Sequence, residues 1–278
     1  TALGFQTLVN QNFTTATNTL NTAVGYQAGA NVSTGISHTL IGAQAGLSIT
    51  TAQRNVAVGY AAVVSNQTGD GNVGVGVGAL NDTTGAQNTS IGDLAGYQVT
   101  SGSNNTALGK DALRSGSPGG PITTQSNRVG LGDENITSFN CAVSLTAASD
   151  QRDKTDFVDL DLGLDFVKAL EPVTYYWDKR SKYGDKYADD YDLNAQTPDG
   201  THKEDWMDVG FTAQSVQALE EAAGYKVADK KNLTVSVNAD GKQLGLRYEK
   251  FVPILVKAIQ DQDAIIQSLT ARITALES

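Results

Sequence analysis

Few side chains in this sequence have the types and the spacing that chemistry needs. Ser149 and Lys154 stand five residues apart in the run Ser-Asp-Gln-Arg-Asp-Lys. A serine hydroxyl is a poor nucleophile until a base takes its proton. A lysine can be that base only where burial or nearby positive charge lowers its pKa well below about 10. Arg152 could contribute such charge, whereas Asp150 and Asp153 would oppose it. Acyl chemistry also needs an oxyanion donor, and the sequence marks none. A serine and a lysine at this spacing occur by chance in almost any chain, so spacing alone carries little weight. Cys141 is the single cysteine, which leaves no internal disulfide and no cysteine metal cluster. His38 and His202 lack zinc spacing and read as ordinary surface or loop residues. No metal and no cofactor site is expected.

The elements that would position such a pair fall into two halves. The chain has 278 residues, which suggests roughly two units. Residues 1–148 hold 22 of the 29 Gly, 4 Lys/Arg and 6 Asp/Glu; residues 149–278 hold 16 Lys/Arg and 24 Asp/Glu. The net charges are therefore −2 and −8, and such a step marks a domain boundary near residue 148. The acidic balance argues against nucleic acid or an anionic membrane as partner. No run of eighteen apolar residues is present, so no membrane insertion is expected. Eight Asn-X-Ser/Thr sequons, from Asn12 to Asn232, follow from an Asn- and Thr-rich composition. Thr1 already stands within a repeat, so the chain reads as a piece of a longer protein.

The first half is periodic. The copies TALGFQTL, TAVGYQAG, TLIGAQAG, VAVGYAAV, VGVGVGAL, TSIGDLAG and TALGKDAL align on Gly4, Gly25, Gly42, Gly59, Gly76, Gly92 and Gly109, and a degenerate copy adds Gly132. Successive spacings are 21, 17, 17, 17, 16, 17 and 23. A period near 17 is too short for helical-pair repeats and fits one coil of a β-solenoid or β-roll. Apolar residues beside each Gly suit a short strand, and the intervening Asn, Ser, Thr and Gly suit turns. Eight coils at about 4.8 Å each predict a rod of roughly 40 Å. A coil this small has little core of its own, so lateral association of chains is expected to bury the remaining apolar face. The repeats, over residues 1–113, resemble the stacked modules of trimeric surface adhesins. Residues 114–148 read as a Gly/Pro/Ser linker, Ser115–Ser126, followed by a connecting strand with alternating Phe139, Val143 and Leu145.

Further along, Leu164–Leu170 reads as a short helix stopped before Pro172. Pro172–Trp177 reads as a strand, and Lys179–His202 as a charged, Tyr-rich mobile loop. Val209–Gln214 predicts a strand running into a helix that ends near Ala223. Leu233–Val237 and Leu244–Tyr248 predict a hairpin across Ala239-Asp240-Gly241. From Val252 the apolar positions Leu255, Ile259, Ile266, Leu269, Ile273 and Leu276, with Gln262, step 3,4,3,4,3,4,3. This is a heptad pattern and predicts a parallel coiled coil over residues 249–277, a helix packed on its own domain being the alternative.

Residues 149–278 resemble the self-cleaving intramolecular chaperone domain at the C-terminus of phage tailspikes, endosialidases and related fibres. The resemblance rests on Ser149-Asp150-Gln-Arg152-Asp-Lys154, on Glu171-Pro172-Val-Thr-Tyr-Tyr-Trp177, on Gly210-Phe211-Thr-Ala213-Gln214, on Tyr248 and on the terminal coil. Lys182–Lys203 is a long insertion that departs from the family pattern. The resemblance implies a mainly β, trimeric repeat rod followed by an α+β chaperone domain. It implies a homotrimer whose chaperone domain drives assembly and then cuts the chain between Ala148 and Ser149. Ser149 would be the nucleophile and Lys154 the general base, with Asp150 and Arg152 in support. The enzyme would be a single-turnover autoprotease without a separate substrate. A virion fibre or appendage that meets a host-surface receptor is the implied setting, a cell surface the alternative. The competing function is a structural or adhesive fibre whose C-terminal domain only trimerises. A glycosidase has little support, because the first half has few acidic residues and no recurring carboxylate pair.

Overall fold

The computed structural model describes residues 1–188 and 190–278. Each repeat supplies one strand of two or three residues: β1 (Ala2–Leu3), β2 (Thr22–Val24), β3 (Thr39–Ile41), β4 (Val56–Val58), β5 (Val73–Val75), β6 (Thr89–Ile91), β7 (Thr106–Leu108) and β8 (Val129–Leu131). They pair in chain order into one eight-stranded parallel sheet, with Thr22 opposite Thr39 and Thr39 opposite Val56. A strand that pairs only with its equivalents one repeat before and after makes a β-solenoid, the architecture the period predicts.

The side-chain period of two sends the middle residue of each strand inward. Ala23, Leu40, Ala57 and Ala107 are buried there. A second interior stack stands three residues after each repeat glycine: Ala28, Ala45, Ala62, Ala79, Ala95 and Ala112. Val32, Ile49 and Val99 fill the rest of the narrow core. The glycine after each strand is required twice over. Gly25 has φ +134°, a region that L side chains rarely adopt, and a Cβ there would stand 2.6 Å from the Gly42 carbonyl oxygen. Its equivalents repeat the arrangement up the stack.

Four residues before each of these glycines runs a buried polar ladder: Asn21, His38, Asn55, Asn72, Asn88 and Asn105. The Asn55 side-chain oxygen accepts from Asn72 N at 2.8 Å, that of Asn72 from Asn88 N at 2.9 Å, and that of Asn88 from Asn105 N at 3.0 Å. Each amide nitrogen donates across its coil, as Asn72 does to the Gly85 carbonyl at 2.8 Å. His38 is therefore no surface residue. It is 1 % exposed, and Nδ1 accepts from Asn55 N at 3.2 Å while Nε2 makes no hydrogen bond among the described residues. Burial pushes its pKa below the usual histidine value, offset in part by the Ala52 and Asn55 backbone and by Asp70. His202 is exposed, its ring edge-on to Tyr183.

Three expectations for irregular segments change. Ser115–Ser126 is not a free linker: Ser117 and Ile122 are buried, and Thr100 N donates to the Thr123 carbonyl at 2.9 Å, so the stretch closes an enlarged coil. Phe139–Leu145 forms no strand and is exposed throughout. Lys179–His202, read as mobile, lies within Asp178–His202, which groups with the solenoid into one compact unit together with the turn Asn238–Lys242.

The second unit comprises Ser138–Trp177, Lys203–Val237 and Gln243–Ser278. It contains α1 (Leu164–Ala169), β9 (Val173–Tyr175), β10 (Asp208–Gly210), α2 (Ala213–Ala222), β11 (Val235–Val237), β12 (Leu244–Leu246) and α3 (Phe251–Glu277). β9 pairs antiparallel with β10, and β11 with β12. Leu162, Phe166, Val216, Val235, Phe251 and Ile254 form its core. The buried Glu220 carboxylate is satisfied by Thr234 N at 2.6 Å and Leu233 N at 3.1 Å. Asp261 of α3 accepts from Leu164 N at 3.1 Å, which caps α1. No helix among the described residues is long and apolar enough to cross a membrane.

Candidate functional site

Asp150 starts the local structure around Ser149. Its carboxylate accepts from Arg152 N at 2.9 Å, an N-cap that opens a single 3-10 turn over Gln151–Asp153. Lys154 N closes the turn on the Gln151 carbonyl at 3.2 Å. The turn folds the lysine side chain back over the serine. Lys154 Nζ lies 2.6 Å from Ser149 Oγ and 3.2 Å from the Ser149 carbonyl oxygen. The sequence pair thus meets within hydrogen-bond reach, the separation a base needs to remove a hydroxyl proton.

Arg152 is engaged by Asp150. Its Nε donates at 3.0 Å and Nη2 at 2.6 Å, a forked ion pair. The Arg152 hydrogen bonds hold the Asp150 carboxyl below its usual range, and Asp150 raises the guanidinium in turn. The two residues shape the turn, and the positive charge is directed to Asp150. All of residues 138–159 are exposed in the single chain, so Ala148, Ser149 and Lys154 stand in water.

The other motifs converge elsewhere in the second unit. Tyr248 OH accepts from Phe211 N at 3.2 Å, and the rings of Phe211, Tyr248 and Phe251 pack on one another. A Cβ at Gly210 would strike the Tyr248 hydroxyl, so this glycine is there for close approach. Trp177 Nε1 donates to Asp208 at 3.1 Å across β9 and β10. These residues build the structure around the turn into α2.

α3 shows two apolar faces. Phe251, Ile254 and Ala258 are buried in the core of the unit. On the other face Val252, Leu255, Ile259, Ile266, Leu269, Ile273 and Leu276 are exposed. The helix thus packs on its own domain through its first turns, and the heptad face is left open in the single chain. The solenoid sheet also leaves a ladder outward: Leu3, Ile41, Ile91, Leu108 and Leu131 are exposed at equivalent strand positions. No group of three or more His, Cys, Asp or Glu among the described residues could hold a metal ion.

Residues 149–225 match the family described as chaperone of endosialidase. No curated protein and no solved structure matches the chain. The match begins at Ser149, the residue just before the Asp150 cap.

Proposed function

We propose, from the premise that residues 149–225 carry a chaperone-of-endosialidase domain, that the chain is a homotrimeric fibre subunit which assembles through its C-terminal region and then cuts itself between Ala148 and Ser149. The observation that carries this reading is the 2.6 Å approach of Lys154 Nζ to Ser149 Oγ. Neutral Lys154 takes the hydroxyl proton as Ser149 Oγ attacks the Ala148 carbonyl carbon. The resulting five-membered tetrahedral intermediate expels the Ser149 nitrogen, which takes the proton from Lys154. An ester now links Ala148 to Ser149 Oγ. Water hydrolyses it, leaving an Ala148 carboxylate and a free Ser149 amine.

Exposure decides when this can happen. A lysine acts as base only where desolvation or positive neighbours disfavour its ammonium form. In the single chain the pair is open to water and the Arg152 charge is turned to Asp150. Covering by neighbouring chains supplies the missing desolvation, so cleavage follows trimer formation. The unpartnered stripe on α3 and the outward aliphatic ladder of the sheet are the surfaces on which three chains meet. Holding them together raises effective concentration and fixes register before the slow, non-local solenoid contacts form. Once the cut piece has left, the mature fibre lacks its nucleus for reversal and becomes kinetically trapped. The chemistry needs no cofactor. The setting that suits such a subunit is a virion fibre that meets a host-surface receptor, with a cell surface as the alternative.

Denaturing electrophoresis tests the reading. The wild type should resolve into pieces of 148 and 130 residues, whereas Ser149→Ala should stay a single 29.1 kDa chain. The second reading, a trimerising cap that does not cut, is favoured by the same exposure if the trimer leaves the pair open. A wild-type chain that stays whole on long incubation would establish it.

A further inference from the structure

The end of the solenoid is a receptor for a segment that lies beyond the cut. Asp111, Asp133 and Glu134 are buried there; among the described solenoid residues the neutral Asn135 donates to Asp133 at 3.0 and 2.9 Å, and the cation that meets the cluster is Arg114, 3.1 Å from Asp111. Three carboxylates against one guanidinium leave two uncompensated negative charges. Lys186 of the insertion supplies the cation: its Nζ lies 2.7 Å from Glu134, 3.2 Å from Asp111 and 3.6 Å from Asp133. Burial alone would lower the Lys186 pKa, but hydrogen bonds and charge from Glu134 and Asp111 outweigh it and raise the value above the lysine range. Tyr187 OH donates to Asp111 at 2.8 Å, and its ring covers Arg114 at 4.6 Å. The turn Asn238–Lys242 adds a second finger. Ala239 N donates to the Gly119 carbonyl at 3.2 Å, and Lys242 pairs with Asp192 of the insertion at 2.8 Å.

We infer that residues 178–202 and 238–242 form a non-covalent clasp that keeps the C-terminal fragment seated on the solenoid after the Ala148–Ser149 bond is cut, with Lys186 as its lock. The cut itself rests on the function proposed above; the clasp does not. Cutting one peptide bond removes only the effective concentration that the connection gave. The buried charges remain, and withdrawing Lys186 would leave Arg114 alone to face three carboxylates, stranding two negative charges in a desolvated site. Cleavage and release are therefore separate events.

The test uses the full chain carrying Ser149→Ala, with residues 143–148 replaced by the recognition sequence of a site-specific protease. After assembly the chain is cut and passed over a size-exclusion column near neutral pH. The two pieces should co-elute. Lys186→Met should release the C-terminal piece, and Lys186→Arg should retain it. Tyr187→Phe, which removes only one hydrogen bond to a charged group, should speed release about tenfold or more. Separation of the pieces as soon as the parent is cut would overturn the clasp, as would Lys186→Met retaining its piece as firmly as Lys186. If Lys186→Met does not assemble, Tyr187→Phe decides, and an unchanged release rate overturns the proposal. The added protease makes the outcome independent of self-cleavage, so failure of the Ser149 chemistry reads separately.

Discussion

Placing a charge on the exposed stripe of α3 should stop cleavage without touching the reacting residues. Six of the seven apolar stripe residues are 44–65 % exposed and Leu276 is 87 % exposed. Burying such a side chain completely contributes about 1.5–3 kcal/mol, so closing the open half contributes about 1 kcal/mol each, or about 7 kcal/mol per chain. Each association step costs on the order of 4–15 kcal/mol in lost freedom. The coil therefore tips the balance only when most of its stripe closes. Leu269→Asp removes one contribution per chain and brings three carboxylates together at the axis, at a cost of several kcal/mol each. Ser268→Asp, which lies off the stripe, is the control. Light scattering reads the oligomer and denaturing electrophoresis reads the cut over time. Leu269→Asp should be monomeric and uncut over the period in which wild type and Ser268→Asp go to completion. A monomeric Leu269→Asp chain that cuts at the wild-type rate would refute the coupling of cleavage to assembly.

Other outcomes follow from the solenoid. Gly25→Ala combines a glycine-only backbone region, about 1–3 kcal/mol, with a contact at 2.6 Å from Gly42 that forces coils apart, so its denaturation midpoint should drop by the equivalent of roughly 3 kcal/mol or more. Gly71→Ala, at φ +68° with its nearest neighbour 3.9 Å away, should lose only about 1–2 kcal/mol; equal losses would contradict the close-approach explanation. His38 titrates below 6.5 when folded, so the unfolded chain takes up its proton first. The stability this contributes is complete above pH 6.5 and declines as pH falls from there toward the depressed value. His38→Asn, which restores the ladder residue of the other coils, should flatten that part of a stability–pH profile. An unchanged slope would show that the loss arises elsewhere.

Much of the solenoid was legible because its geometry repeats in the chain. A Gly at φ between +132° and +138°, at Gly4, Gly25, Gly42, Gly59, Gly76 and Gly92, forces the same letter at a period near 17. The ladder was legible too, four positions before each glycine, and aligning on that offset would have placed His38 among asparagines and hence inside. Ser115–Ser126 misled because solenoid corners use the same Gly, Pro and Ser as free linkers. The alternation of Phe139, Val143 and Leu145 misled for a different reason: a strand needs a partner, and in the single chain nothing pairs with it. The role of Lys182–Lys203 was hidden by distance. Lys186 meets Asp111 and Glu134, which lie 75 and 52 positions upstream, and a charge run whose partners are remote reads as a solvated face. At the site, the Ser149–Lys154 spacing carried little by itself. The Asp150 cap that turns the lysine back onto the serine is what the run Ser-Asp-Gln-Arg-Asp-Lys encodes.

The most direct measurement is the intact mass of the purified assembled protein, taken for wild type, Ser149→Ala and Lys154→Ala side by side. Wild type should give two species, one ending at Ala148 and one beginning at Ser149, while both variants should give the uncut mass and still form trimers. A wild-type chain that stays whole in a trimer, or a Lys154→Ala chain that cuts at the same bond, would contradict the account.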